Sequence, residues 1–169
     1  MDAELYFKDN FFNSGMTEVM DPTGQVVGAL DLKSAFGSSI DVYNSRHELE
    51  CSGKFRFTKW KVEGQNGSLL GVLRERMSFF SKRYEYDTDG RGTYEIKSPA
   101  FSREYVVRDI VTGELAAEFA EVNGWLRSSA YRLQNYSSRL NSSELIAVVM
   151  GVNEIQKRHN HDSAGTHTP

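Results

Sequence analysis

Asn141-Ser142-Ser143-Glu144-Leu145-Ile146-Ala147-Val148-Val149-Met150-Gly151-Val152-Asn153-Glu154-Ile155 is the segment on which the fold turns. Its first residues make a helix start. The Asn141 side chain is suited to accept hydrogen bonds from first-turn amides, and Glu144, three residues on, is spaced to reach back to the cap. From Leu145 to Val152, with Ile155 a turn later, apolar side chains then fall on every side of a helix rather than along one stripe. A surface helix keeps a polar face, so this one must be enclosed all round. The unbroken apolar run Leu145 to Met150 is far short of the ~18 residues that a membrane span needs, so the enclosure is protein and not lipid. The segment becomes hydrophilic at Gln156-Lys157-Arg158-His159, where it leaves that enclosure.

What encloses it is written in a recurring hairpin. Val19-Met20 leads through Asp21-Pro22-Thr23-Gly24 to Gln25-Val26-Val27. Similar loops ending in Gly return at Glu63-Gly64-Gln65-Asn66-Gly67, at Asp87-Thr88-Asp89-Gly90 and at Ile110-Val111-Thr112-Gly113. A turn closed by a residue at positive φ is a good short hairpin connection, and Gly adopts positive φ without steric penalty. Asn123-Gly124 is a further two-residue hairpin signal. Between the turns the chain alternates as half-buried strands do, as in Tyr84-Glu85-Tyr86 and Tyr94-Glu95-Ile96. Residues 115–122 also fit a helical period, but the turn on each side favours a strand. Strands spaced in this way, roughly ten to twelve of them, belong to an all-β barrel or sandwich.

The remaining composition sets bounds. A chain of 169 residues with 39% hydrophobic residues suffices for one sizeable core. It is read as a single domain over 1–158 followed by a flexible polar tail over 159–169. The lone Cys51 excludes an internal disulfide and suits a reducing, cytoplasmic setting. The acidic start Met1-Asp2-Ala3-Glu4 has no basic, then apolar, leader pattern. A net charge of −3 argues against nucleic acid as a partner. The charge is uneven, however. Residues 54–83 hold Lys54, Arg56, Lys59, Lys61, Arg74, Arg76, Lys82 and Arg83 against Glu63 and Glu75 alone.

That basic stretch is the candidate site. With Phe55, Phe57, Trp60 and Val62 facing inward, and a bulge at Thr58-Lys59 absorbing the odd spacing, Lys54, Arg56, Lys59 and Lys61 project together to solvent. Arg74 and Arg76, on the partner strand, extend the cluster. Clustered cations suit an anionic headgroup, a phosphate or an acidic protein. The plainer account is a solvated strand exterior balanced by acids such as Glu48 and Glu50. Other chemistry is weakly represented. His159, His161 and His167 lie in the expected tail without ligand spacing, which gives no metal site. Asp87-Thr88-Asp89-Gly90 opens like a calcium loop but continues with Arg91, so it is a turn. No nucleophile elbow, phosphate-cradling loop or cofactor motif accompanies His47 or the serines, and no enzymatic activity or catalytic residue is expected.

The order of elements, the turns Asp21-Pro22-Thr23-Gly24 and Asp87-Thr88-Asp89-Gly90, and the apolar helix Leu145 to Ile155 together resemble the tubby C-terminal-like superfamily. That superfamily includes tubby domains, LURP-one-related plant proteins, phospholipid scramblases and small bacterial members, which this chain is similar to over about residues 4 to 158. The resemblance implies a closed antiparallel β-barrel of about twelve strands around one buried C-terminal helix. It also implies a lipid-related function, since tubby domains bind phosphoinositides through surface cations. Scramblase activity is not expected, because the cysteine cluster and anchoring segment are missing from this sequence. The expected function is therefore a non-enzymatic barrel module that binds anionic lipid headgroups or an acidic partner through the basic strand face. A structural or protein-interaction module with no ligand and a small-ligand barrel are the alternatives.

Overall fold

The computed structural model describes residues 1–34, 38–77, 82–99, 102–123 and 130–164. Twelve strands form one closed sheet around a helix. They are β1 (Glu4–Lys8), β2 (Gly15–Met20), β3 (Val26–Lys33), β4 (Ser39–Asn44), β5 (Leu49–Arg56), β6 (Lys59–Gly64), β7 (Leu69–Arg76), β8 (Arg83–Thr88), β9 (Gly92–Lys97), β10 (Tyr105–Asp109), β11 (Leu115–Val122) and β12 (Ala130–Asn135). Each strand pairs antiparallel with the next in sequence, and β1 closes the ring by pairing with β12 as well as with β2. Closure leaves none of these strands with an unpaired edge. Residues 115–122 are strand, as the flanking turns required.

At the end of the barrel where the helix begins, the connections are the short turns expected from sequence. Gly24, Gly67, Gly90 and Gly113 all take positive φ. Side-chain oxygens organise several of these turns: Asp21 accepts from the amides of Thr23 and Gln25, and Asp109 accepts from those of Val111 and Thr112. The β4–β5 turn follows the same plan with His47 at the positive-φ position (φ 59), where the others carry Gly. Asn44 there accepts from the Arg46 and Glu48 amides. The expected Asn123-Gly124 turn falls outside the described residues.

The helix α1 (Ser142–Ala164) runs through the barrel, with Leu145 to Ile155 buried. It lies mainly against β4, β5, β6 and β7, and also touches β12. The opposite side is filled by aromatic rings. A 3-10 turn after β1 brings Phe11 and Phe12 inward against Phe119 and Tyr131, whose rings stack 5.4 Å apart. Where helix and wall meet most closely, Trp60 of β6 occupies a slot without side chains. A Cβ on Gly151 would stand 2.5 Å from the indole, and one on Gly53 2.7 Å. The Trp60 indole donates to the carbonyl of Ala147 at 3.0 Å, so its one polar group is satisfied inside the core.

Two expectations about α1 need correction. Asn141 does cap the helix, accepting from the Glu144 amide at 2.7 Å, but Glu144 does not reach back to the cap. Its carboxylate is wholly buried and accepts two bonds from Arg91, at 2.9 and 2.8 Å, and one from the Tyr86 hydroxyl at 2.6 Å. Arg91 also donates to the carbonyls of Leu70 and Arg139. A buried carboxylate without such partners would be strongly destabilising, so the chain uses it to fasten the helix start to two hairpin turns. The second correction concerns the tail. The chain is helical through His159 and on to Ala164, past the point where a flexible tail was expected, while 165–169 lie outside the described residues.

Replacing Gly by Ala in a helix ordinarily stabilises it, by up to about 1 kcal/mol. At Gly151 the added methyl meets the Trp60 ring, and overpacking typically costs about 1–3 kcal/mol. Gly151→Ala is therefore expected to lower the thermal midpoint by a few degrees, measured by circular dichroism. A raised midpoint would show that helix and wall are not in register through this ring. Gly113 has open space around it but φ 73. Gly113→Val should consequently destabilise more than Thr112→Val, and equal shifts would contradict the turn described.

Candidate functional site

The outward face of β5 to β8 carries the candidate cations. Along β5 and β6, Cys51, Gly53, Trp60 and Val62 point inward, and Lys54, Arg56, Lys59 and Lys61 lie on the outer side. Register sets Lys54 directly across from Lys61 and Arg56 directly across from Lys59. Like charges facing each other across an antiparallel pair are destabilising. Arg74 and Arg76 follow on β7, Lys82 stands just before β8, and Arg83 opens it.

These eight cations separate into two groups. Lys54 pairs with Glu63; Arg74 lies 3.3 Å from Asp87; Arg76 makes two bonds to Glu85, at 2.8 and 2.6 Å; Arg83 lies 3.4 Å from Glu95. The sequence pointed to Glu48 and Glu50 as the balancing acids. Glu48 instead pairs with Arg46, and the strands that come alongside supply the neutralising carboxylates. Arg56, Lys59, Lys61 and Lys82 make no ion pair among the described residues. Three of them lie on the β5–β6 hairpin, with Arg56 and Lys59 flanking its turn.

That turn is the main departure from the sequence-based expectation. Phe57 does not face inward and Thr58-Lys59 is not a bulge: Phe57 and Thr58 are the two loop residues of a tight hairpin. Phe57 is 98% exposed and takes φ 57. Two-residue hairpins that need positive φ at the first loop position place Gly there, because a side chain in this region meets its own backbone. Behind the turn, Phe55 packs edge-on against Trp60, with ring centroids 5.1 Å apart. The Arg158 guanidinium of α1 lies over the Phe55 ring, 3.3 Å from its centroid, and Arg158 also donates to the Phe57 carbonyl at 3.5 Å. The sequence signal for the turn was the odd spacing between Phe57 and Trp60, which a two-residue loop explains as well as a bulge does.

Strand direction spreads the same polarity over the whole barrel. The ends of β1, β3, β5, β7 and β9 and the starts of β6 and β8 share the end from which α1 emerges, and they carry Lys8, Lys33, Arg56, Arg76, Lys97, Lys59 and Arg83. Asp9, Glu75, Glu104 and Glu121 lie toward this end too; Glu75 pairs with His159 at 2.7 Å, and Lys8, Lys33 and Lys97 are paired with Glu18, Asp41 and Glu95. The opposite end presents Asp21, Glu48, Asp89, Asp109 and Glu114 in its turns, with Arg46 paired to Glu48, Arg91 bound to the buried Glu144 and Arg139 held against Asp109. An open groove of about 610 Å³ near that acidic end, beside Asp87 and Asp89, offers no cation to an anionic ligand. Among the described residues no cluster of His, Cys, Asp or Glu is arranged to hold a metal ion, and no described helix is long and apolar enough to cross a membrane.

Comparison with known proteins bears on the fold alone. No protein-family model matches the chain, and no curated protein matches it significantly by sequence. The fold is similar to that in the X-ray structure of the Arabidopsis thaliana protein AT5G01750, with a TM-score of 0.63 over 90% of each chain at 11% identity.

Left-handed backbone costs a residue with a side chain about 1–2 kcal/mol, and Asn tolerates it better than Phe. Because the Phe57 side chain packs on almost nothing, Phe57→Asn should raise the thermal midpoint, by about 2–4 °C for each kcal/mol recovered in a chain of this size. A fall on calorimetry would show that the ring supports the fold.

Proposed function

We propose that the protein is a non-enzymatic barrel module that binds the surface of a bilayer bearing anionic headgroups, through the β5–β6 hairpin and the start of β8 at the same end of the barrel. One observation carries this reading: Arg56 and Lys59 face each other across the turn, with Lys61 farther along β6 and Lys82 just before β8, one strand beyond β7, and none has a carboxylate partner among the described residues. Self-repulsion of this kind is relieved by an external anion, and an anionic leaflet supplies about 1 kcal/mol for each cation near it. A cytoplasmic setting belongs to the same proposal, because the cytoplasmic leaflet is the anionic one. The likeness to LURP-one-related and other tubby-like barrels is consistent with the proposal, although a shared fold does not transfer function.

A ligand-free structural module has an observation in its favour as well. Lys54, Arg74, Arg76 and Arg83 are already neutralised by neighbouring strands. The two readings separate in a sedimentation assay. The full chain should bind phosphatidylserine-containing vesicles at least tenfold better than phosphatidylcholine vesicles at low ionic strength, and binding should fall as salt shortens the screening length. Replacing Arg56, Lys59, Lys61 and Lys82 with Gln should remove most of the binding while moving the thermal midpoint by no more than a few degrees. Replacing Arg74 and Arg76 with Gln should remove much less. Equal binding to both vesicle types leaves the structural module standing.

A further inference from the structure

We infer that Phe57 is a membrane-inserting wedge: the β5–β6 turn enters the interfacial layer of the bilayer, and the barrel docks end-on, with the helix exit toward lipid. This inference rests on the anionic-surface reading above and specifies how that surface is engaged.

Phe57 is unexplained by the fold. It occupies a backbone position for which Phe is among the poorer choices, and its ring contributes almost nothing to the core. Strain of this kind persists where the surroundings hold it, and it concentrates at sites that contact something outside the chain. Here Arg158 does the holding, from behind, through the Phe57 carbonyl and the Phe55 ring. The exposed ring is thus carried on a braced tip.

The chemistry around the tip selects the occupant. A protein partner that takes a Phe usually meets a surrounding apolar patch, as interface cores do. Phe57 instead stands ahead of Arg56 and Lys59, in a girdle of cations. A bilayer has the complementary order: anionic headgroups outermost and an apolar layer just beneath. One projecting ring would reach the apolar layer while the flanking cations, on flexible stems, stay with the headgroups. Met77 is fully exposed at the same end. It follows β7, whose register opposite β6 (Trp60 with Leu73) brings its last residues level with the turn. The opposite end also exposes apolar residues, Val26, Leu69, Ile110, Val111 and Tyr136, but its turns carry Asp21, Glu48, Asp89, Asp109 and Glu114, which an anionic leaflet repels.

The test uses the full chain with an environment-sensitive NBD fluorophore on Phe57→Cys, and a second preparation labelled on Val111→Cys. Cys51 is wholly buried, and burial pushes its thiol pKa well up, so labelling near neutral pH is directed to the introduced cysteine. On phosphatidylserine vesicles the label at position 57 should shift to the blue and be quenched by lipids spin-labelled near the headgroup, while the label at 111 stays water-like. Phe57→Asn, expected to fold at least as stably as the parent, should bind those vesicles at least fivefold more weakly with its salt dependence intact. The Gln variants of the cations should lose the salt dependence. If the chain sediments with anionic vesicles but the label at 57 stays water-like, or Phe57→Asn binds as the parent does, insertion is wrong and surface binding survives. A shift at 111 instead of 57 overturns the orientation. No sedimentation at low salt overturns both.

Discussion

The Trp60 indole against Gly151 is the contact on which the architecture depends. A helix inside a closed barrel can hide its own backbone groups, but it must still find one height and one rotation among many that bury apolar side chains equally well. Gly53 and Gly151 leave a slot that only a flat ring fills, and the bond from Trp60 to the Ala147 carbonyl sets its depth. Glycine in mid-helix is unfavourable by about 1 kcal/mol, and here that loss is offset by a close-packed helix–wall contact. Fixing Trp60 also fixes the β5–β6 hairpin, since Phe55 lies against the indole and Arg158, two turns beyond Gly151, lies over Phe55. The position of the exposed tip is thus a consequence of the core.

The two barrel ends solve different problems. At the helix start, a buried carboxylate must be neutralised: Arg91 does so, Tyr86 donates a further hydrogen bond to it, and Asn141 caps the Glu144 amide. This end is closed by short turns whose Asp and Asn side chains satisfy the local amides. At the other end, α1 emerges among strand termini rich in lysine and arginine, and part of that charge is left unpaired. A chain that is acidic overall therefore presents a basic end, and a single net charge describes neither.

Phe57 illustrates the tension between stability and use. Asn or Gly would relax the turn without loss of packing, so the fold alone gives no reason for an aromatic ring there. His47, the other non-glycine residue at positive φ, carries no such puzzle: its turn is organised by Asn44, and His is more tolerant of that backbone. The two positions share a dihedral angle but not an explanation.

Local periodicity was enough to read the strands, the Gly-closed turns and the enclosed helix, because each depends on residues within a few positions of one another: alternation along β8 and β9, Gly113 after Asp109, the all-round apolar surface from Leu145. The basic residues of β5 to β8 could be named for the same reason. Their state could not. Whether a lysine is free depends on carboxylates delivered by strand register, so Arg74 meets Asp87 and Arg76 meets Glu85 while Arg56 meets Lys59. Glu144 looked like a local cap residue, yet its partner Arg91 lies 53 residues away, and a buried carboxylate takes the nearest cation whatever the spacing. Phe57 looked like a core residue because odd spacing permits either a bulge or a turn. Only the pairing of Arg56 with Lys59 decided for the turn and put the ring outside, since a one-residue change of phase moves every later side chain to the other face.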